Sequence, residues 1–295
     1  MITLTSSFTG KWYCLNKYKQ SVEELDFDKT QVTYVIWDNS NDELFAKDIR
    51  SWADKLYFKD VIYHRDDTLK ATIEFQDDYG KTSDRVIEIL QQVFFDLVPL
   101  DTDLVLNWED DVTVPHYALN KMLGIMNENE KIVTVSPSIF GRRLGDRAFG
   151  IPMAWGFKKV SVFPEPDSCR EQTITIFPVS PKPYGIEIVG SSSTGFWLTK
   201  YSALRKLGWK IEDNIRGGDV SWGYRVWKER LGWVVMDWSI YAKHWWNFSN
   251  RVGYFSWGCV CEDDFRREDF KFQGVSVEVR YDELYKNKPN ATVIR

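Results

Sequence analysis

Three acidic side chains in a row, Glu109, Asp110 and Asp111, follow the apolar run Leu104, Val105 and Leu106 after Asn107 and Trp108. Asp103 to Leu106 is predicted as a short buried strand, and Pro115 opens a helical pattern. Carboxylates gathered at the tip of a buried strand repel each other and are costly to desolvate. A divalent cation offsets both costs. Carboxylate oxygens suit Mg²⁺ or Mn²⁺, and such an ion can hold substrate phosphates. The competing reading is a solvated acidic turn that caps the next helix.

A second stretch, Ile215-Arg216-Gly217-Gly218-Asp219, sets two glycines before a carboxylate at the start of an amphipathic helix. Glycines let the backbone turn tightly or come close to a ligand. Asp219 either caps that helix, a contribution of about 1 kcal/mol, or accepts a proton from an attacking hydroxyl. His244 follows an apolar strand in Tyr241-Ala242-Lys243-His244-Trp245-Trp246. It is a structural histidine unless a metal joins it to the carboxylates, since imidazole suits Mn²⁺ acceptably. Asp38 ends a strand, where it can cap a helix or read a ligand base. From Phe140 to Val160, Arg142, Arg143, Arg147, Lys158 and Lys159 stand against one acid, Asp146, with Phe149, Trp155 and Phe157 interleaved. That pattern is a solvated flap or a grip on an anionic acceptor, through phosphate contacts and stacking.

The elements that must position these groups alternate. Strands are predicted at Ile2 to Thr5, Gln31 to Trp37, Lys59 to Tyr63, Asp103 to Leu106 and Lys131 to Ser136. Between them lie helical patterns through about Leu25, from Glu43 to Leu56, from Thr82 to Leu97 and from Pro115 to Met126. Ser6 to Gly10 reads as a polar turn, and Asp66 to Gly80 as polar and irregular. The alternation implies an α/β fold with a mostly parallel central sheet sandwiched by helices and ligands at the strand C-terminal ends. Gly141 to Pro183 breaks the rhythm with six prolines and reads as a long excursion over one face. Strand-like residues resume from Gly185 to Lys200, followed by helices at Tyr201 to Leu207 and Asp219 to Leu231, a strand at Trp233 to Met236, and the apolar Ile240 to Trp246. We expect one domain over residues 1–250 and a charged, aromatic tail, 251–295, packed on it.

The chain has 295 residues, 43% hydrophobic and 27% charged, enough to bury a sizeable core. No run of about 18 apolar residues exists, so no membrane span is expected. The first residues lack a basic region followed by an apolar one, so no secretory signal is expected. Four cysteines (14, 169, 259 and 261) lack C-x-x-C spacing, which suggests reduced thiols and a cytoplasmic location. A net charge of −5 argues against a wholly nucleic-acid-binding surface but allows a local basic patch. With 14 Trp, 14 Tyr and 18 Phe, some rings have a second reading beyond core packing, as stacking faces for sugars or bases.

Taken together, these residues resemble a GT-A glycosyltransferase. Asp38 to Asp42 is similar to the D-G-S-x-D turn after the second strand of family 2 enzymes, where an aspartate reads the nucleotide base; Asn39 stands in place of the glycine. Thr5, Ser6 and Ser7 lie where those enzymes place first-strand nucleotide contacts. Glu109-Asp110-Asp111-Val112 matches the D-x-D element, with Glu109 where Asp is usual and with either Asp110 or Asp111 as main metal ligand. Gly217-Gly218-Asp219, followed by Tyr224-Arg225-Val226-Trp227, is similar to the W-G-G-E segment of polypeptide N-acetylgalactosaminyltransferases and β-1,4-galactosyltransferases. His244 matches the late metal-binding histidine. The resemblance spans roughly residues 2 to 250.

It implies a GT-A (Rossmann-like) fold and a metal-dependent transfer from a nucleotide-diphosphate sugar to a hydroxyl acceptor, with Mn²⁺ or Mg²⁺ as cofactor. Glu109, Asp111 and His244 would hold the metal. Thr5, Ser6, Ser7, Asp38, Arg85, Asp110, Gly217 and Gly218 would meet the donor, Arg85 being either a diphosphate contact or surface. Asp219 would be the base in an inverting reaction, or would orient the acceptor in a retaining one. Arg142, Arg143, Trp197 and Trp222 would face the acceptor, with core packing as the other role for these tryptophans and for Trp245. The acceptor classes are a glycan, a protein or a hydroxymethylated base in DNA. The rival readings are a nucleotidyltransferase, for which Ser6-Ser7-Phe8-Thr9-Gly10 is a poor phosphate loop, and a non-catalytic sugar-binding protein.

Overall fold

The computed structural model describes residues 1–66, 79–141, 151–160, 173–179, 182, 184–211, 217–248, 251–256 and 259–262. Arg142 and Arg143 lie outside the described residues, and so does the side chain of Arg85.

Strand β1 (Ile2–Phe8) is followed by α1 (Trp12–Glu24), β2 (Val32–Asp38), α2 (Glu43–Ala53) and β3 (Asp60–Arg65). Helix α3 (Tyr79–Gln92) runs into a π-helical turn, Val93–Leu97, and leads to β4 (Leu104–Trp108) and the short β5 (Val112–Thr113). Next come α4 (Ala118–Glu128), β6 (Ile132–Ser138), β7 (Phe140–Gly141) and β8 (Ile151–Pro152). The segment expected to be a bare excursion contains two paired strands, β9 (Ala154–Val160) and β10 (Thr173–Pro178). Strands β11 (Ile186–Val189), β12 (Ser191–Ser192) and β13 (Phe196–Lys200) precede α5 (Tyr201–Leu207) and α6 (Gly218–Lys228). The last strands are β14 (Trp233–Tyr241), β15 (Lys243–Phe248), β16 (Arg251–Ser256) and β17 (Cys259–Glu262).

Eight strands form the central sheet in the order β11-β14-β6-β13-β4-β1-β2-β3. The pairs β1–β2, β1–β4, β2–β3 and β6–β14 are parallel. β13 runs against both neighbours, and β11 runs against β14.

Period-two alternation sends each strand's side chains to two cores. Tyr34 and Ile36 of β2, with Leu106 and Trp108 of β4, pack under α1, α2 and α4 through Tyr18, Phe45, Ile49 and Met122. Val35, Trp37 and Val105 face the opposite way, onto Leu90 and Phe94, Leu204 of α5, and Trp222 and Val226 of α6. The helices therefore cover both faces, as the α/β reading anticipates. The first strand runs to Phe8, so Ser6 and Ser7 belong to β1 and not to a turn.

A second, four-stranded sheet, β17-β16-β15-β5, stands at the site end. Its strands β16 and β17 come from the segment read as tail. In it His244 pairs with Val112, and the Trp245 amide donates to the Asp111 carbonyl at 2.7 Å. That pairing carries a histidine from late in the chain to the acidic turn.

Candidate functional site

The acidic turn joins β4 to β5 and is clamped from within. The Trp108 indole donates to the Val112 carbonyl at 2.7 Å. The Glu109 amide donates to the Gly195 carbonyl at 2.8 Å, and Thr194 Oγ1 donates to Glu109 Oε1 at 3.0 Å. Asp110 and Asp111 are each 2% exposed. Burial raises the pKa of Glu109, and the Asp111 charge adds to that rise. Burial raises Asp110 as well, while the ammonium of Lys11 pulls the other way.

The loop after β1 grips this turn. The Thr9 amide and hydroxyl donate to Asp110 Oδ2 at 2.9 and 3.2 Å. Lys11 Nζ lies 2.7 Å from Asp110 Oδ1 and 2.9 Å from Asp111 Oδ2. One ammonium therefore bridges two buried carboxylates. Sequence reasoning missed Lys11; a lysine three residues beyond the end of a buried strand, level with the tip of β4, was the available signal.

On the other side of Asp111, His244 Nε2 stands 3.6 Å from Oδ2. Its Nδ1 lies 2.9 Å from the Phe140 carbonyl oxygen, which can only accept, so Nδ1 carries the proton of that bond. In the neutral ring this leaves the Nε2 lone pair turned toward Asp111. That is the arrangement in which histidines bind metals, one nitrogen oriented by an outer carbonyl and the other presented to the ion. Among the described residues no three His, Cys, Asp or Glu side chains are drawn up as a finished metal cage. The donor types at Asp111, Glu109 and His244 nonetheless suit Mn²⁺ or Mg²⁺, and the cation now against Asp111 is Lys11.

Asp219 sits in the first turn of α6. Gly217 precedes it at φ +93°, and a Cβ there would lie 2.9 Å from Asp219 Oδ1. A side chain at 217 would thus be strained and would crowd the carboxylate. The Val220 amide donates to Oδ1 at 2.8 Å, and Ser191 Oγ donates to the Asp219 carbonyl at 2.5 Å. Burial pushes the Asp219 carboxyl up to about 7, and the Glu109 charge adds to the rise. The two carboxylates, far apart in sequence, therefore feel one another's charge. Gly218 packs under the Trp209 ring, which a Cβ would approach to 3.0 Å.

Several expected ligand contacts are used inside the protein instead. Asp38 is fully buried, and both its oxygens are engaged. Oδ1 accepts from the Ser40 amide and pairs with Arg65 Nη1, each at 2.9 Å; Oδ2 accepts from Tyr63 at 2.8 Å. Arg65 and Tyr63, alternating on β3, were not foreseen as its partners. Thr5 donates to Asn107 Oδ1 at 3.0 Å, and Ser6 bonds with Tyr18 and Tyr34, so both hydroxyls are engaged within the protein. Ser7 Oγ, in contrast, has no hydrogen-bond partner among the described residues. Trp197 and Trp222 do not face an acceptor. They are 1% and 2% exposed and form a ring cluster with Trp209 at centroid separations of 5.6 to 6.1 Å. Trp245 is buried too, its indole donating to Thr113 at 2.9 Å.

No protein-family model matches the chain, and no curated protein does. Among solved structures, GalNAc-T7 with UDP, GalNAc and Mn²⁺ superposes with a TM-score of 0.56 at 13% identity, over 97% of this chain and 49% of that one. The fold is GT-A-like. Looser likenesses include S. aureus TarS 1-349, with a TM-score of 0.45 and 12% identity over 80% of this chain and 57% of that one. Another is the mannosyltransferase PcManGT from Pyrobaculum calidifontis in complex with GDP-Man and Mn²⁺, at 0.42 and 11%, over 74% and 49%. The chain spans about half the length of these proteins. No helix among the described residues is long and apolar enough to cross a membrane.

Proposed function

We propose that this chain transfers a sugar from a nucleotide-diphosphate sugar to a hydroxyl acceptor. The observation that carries the reading is the Asp219 carboxyl, raised to about 7 and held within the electrostatic reach of Glu109 at the end of a GT-A-like sheet. A carboxylate poised near neutrality suits removal of a proton from an acceptor hydroxyl. In sheets of this kind ligands bind beyond the carboxyl ends of the parallel strands, where the acidic turn lies. The donor class is supported by the GT-A-like fold shared with GalNAc-T7, whose structure contains UDP and GalNAc.

Asp111 and His244, with Glu109 beside them, are the residues that would hold Mn²⁺ or Mg²⁺. Such an ion supplies Lewis-acid stabilisation of the departing nucleotide phosphate. Thr9 and Lys11 fix the Asp110 carboxylate, and so the pitch of the whole turn. Phe140 fixes the His244 ring. Asp219 would take the acceptor proton in an inverting reaction, and would orient the acceptor in a retaining one.

Calorimetric titration of nucleotide sugars into the protein, with Mn²⁺, with Mg²⁺ and with chelator, tests the reading. Binding of one donor that depends on the ion supports it. Absence of binding by every donor under every condition removes it, and a sugar-binding role without a nucleotide donor then takes its place.

A further inference from the structure

Lys11 does more at the site than fix the Asp110 carboxylate. Its ammonium contacts two carboxylates that are each 2% exposed, at 2.7 and 2.9 Å, while its own side chain is 19% exposed. The loop that carries it is not placed by chance. Thr9, two residues before it, makes two hydrogen bonds to Asp110, and Cys14 Sγ donates to the Asp110 carbonyl at 3.3 Å. Three adjacent acidic side chains in a buried turn need positive charge nearby to stay ionised. Lys11 supplies it from within the chain.

The Asp111 oxygen that Lys11 contacts is also the one that faces His244 Nε2 at 3.6 Å. A divalent ion held by Asp111 and His244 through that oxygen would share it with the ammonium. Two cations close to one carboxylate oxygen repel strongly in a partly buried site. We propose that Lys11 is the resident counter-ion of the acidic turn, and that a divalent ion loads by displacing its ammonium from Asp111. Lys11 then sets the ion affinity of the site and holds the turn together before the ion arrives. A lysine suits this task better than an arginine, because it is a compact charge on a flexible stem with room to withdraw. The inference rests on the metal site of the proposed transferase.

The test uses the full chain and Mn²⁺ alone. Lys11→Met removes the competing charge, and Lys11→Arg keeps it. Mn²⁺ binding is followed by calorimetry, thermal stability is followed in chelator, and modification of the Lys11 amine by an acylating reagent is followed by mass spectrometry. Lys11→Met is expected to bind Mn²⁺ about tenfold more tightly than the wild type, with a lower melting temperature in chelator that Mn²⁺ restores. Lys11→Arg is expected to bind no more tightly than the wild type. In the wild type, Lys11 is expected to be protected from acylation in chelator and to become reactive with Mn²⁺. That last readout needs no variant and decides the matter if Lys11→Met does not fold.

Equal or weaker Mn²⁺ binding by Lys11→Met, or an amine equally protected with and without Mn²⁺, overturns the exchange. Nucleotide-sugar titrations of the same samples keep the two ideas apart. A donor that binds while the exchange fails leaves the transferase reading standing. An exchange that holds while no donor binds leaves an ion site and removes the transferase.

Discussion

A side-chain carbon on Gly223 would lie 2.5 Å from Cβ of Ser191 and 2.3 Å from the Gly190 carbonyl oxygen. Helix α6 and strand β12 approach so closely at this point that only hydrogen fits between them. The contact sits one turn along the helix from Asp219, whose carbonyl accepts from Ser191. Gly223→Ala forces the two elements apart. Overpacking of this kind costs about 1–3 kcal/mol, which for a chain of this size lowers the melting temperature by about 2–4 °C per kcal/mol. Differential scanning calorimetry reads it directly. An unchanged melting temperature would show that the helix slides without strain.

As the base of the proposed reaction, Asp219 would give it a pH profile with a fixed sign. Its folded-state value of about 7 lies above the ordinary aspartate value of 3.8. The base form therefore gains population as pH rises through about 7, and kcat/KM is expected to rise with it. Asp219→Asn is expected to lower turnover by about 10²–10⁴-fold, the usual contribution of a positioned base, with donor affinity nearly intact. Turnover within a few fold of the wild type would remove Asp219 from the chemistry.

The same carboxyl has a stability signature. Below about pH 4 it is protonated in both the folded and the unfolded chain. Between there and about 7 only the folded protein keeps the proton, so this group's contribution to stability is lost as pH rises. Asp219→Asn, which carries no titrating proton, is expected to gain stability relative to the wild type from pH 4 to pH 8. Urea melts at the two pH values give the comparison; a constant difference between the variants at both would mean that the carboxyl is not raised.

His244→Ala is expected to weaken Mn²⁺ binding by at least about tenfold, since loss even of an outer partner of a metal ligand costs about 10–100-fold. The fold should persist, because β15 is held to β5 and β16 by backbone pairing. Calorimetry with Mn²⁺ checks the first statement and circular dichroism the second. Wild-type Mn²⁺ affinity in the variant would leave His244 as a strand residue only.

Arg65→Met removes the charged partner of a fully buried Asp38. Tyr63 and the Ser40 amide remain, so the loss is placed at about 3 kcal/mol, the lower end for breaking a buried pair. Replacing both members, with Asp38→Asn beside Arg65→Met, is expected to recover part of that loss. A double-mutant cycle in denaturant measures the coupling, and additive losses would argue that Arg65 acts on Glu43 and Ser40 alone.

Much of this architecture was legible in the sequence because alternation of strand and helix is a long-range periodic signal. The parallel strands β1 to β4, the helices between them and the helix bearing Asp219 lie within a few residues of their predicted places. The reversed direction of β13 was not legible, since a strand buried on both faces reads the same either way. The carboxylates and His244 stand out in the sequence by residue type, and the structure brings Asp111 and His244 side by side. The site was not legible in its internal partners. Asp38 reads from the sequence as a ligand contact, and only the pairing of β2 with β3 brings Tyr63 and Arg65 to it. Trp197 and Trp222 show the converse: residue type offers a stacking face, and packing buries it. The signal for Lys11, its place just beyond the end of β1, gains meaning only once the neighbouring tip of β4 is known.

The reversal of β13 has a consequence for how the site is built. On the parallel strands, the residues that reach the site end are those that follow the strand. On β13 they are those that precede it, Ser193 to Gly195, and these meet Glu109. Among the described residues, the approach to β13 thus forms one side of the acidic turn. One side of the site is thus set by residues that follow parallel strands and the other by residues that precede an antiparallel one.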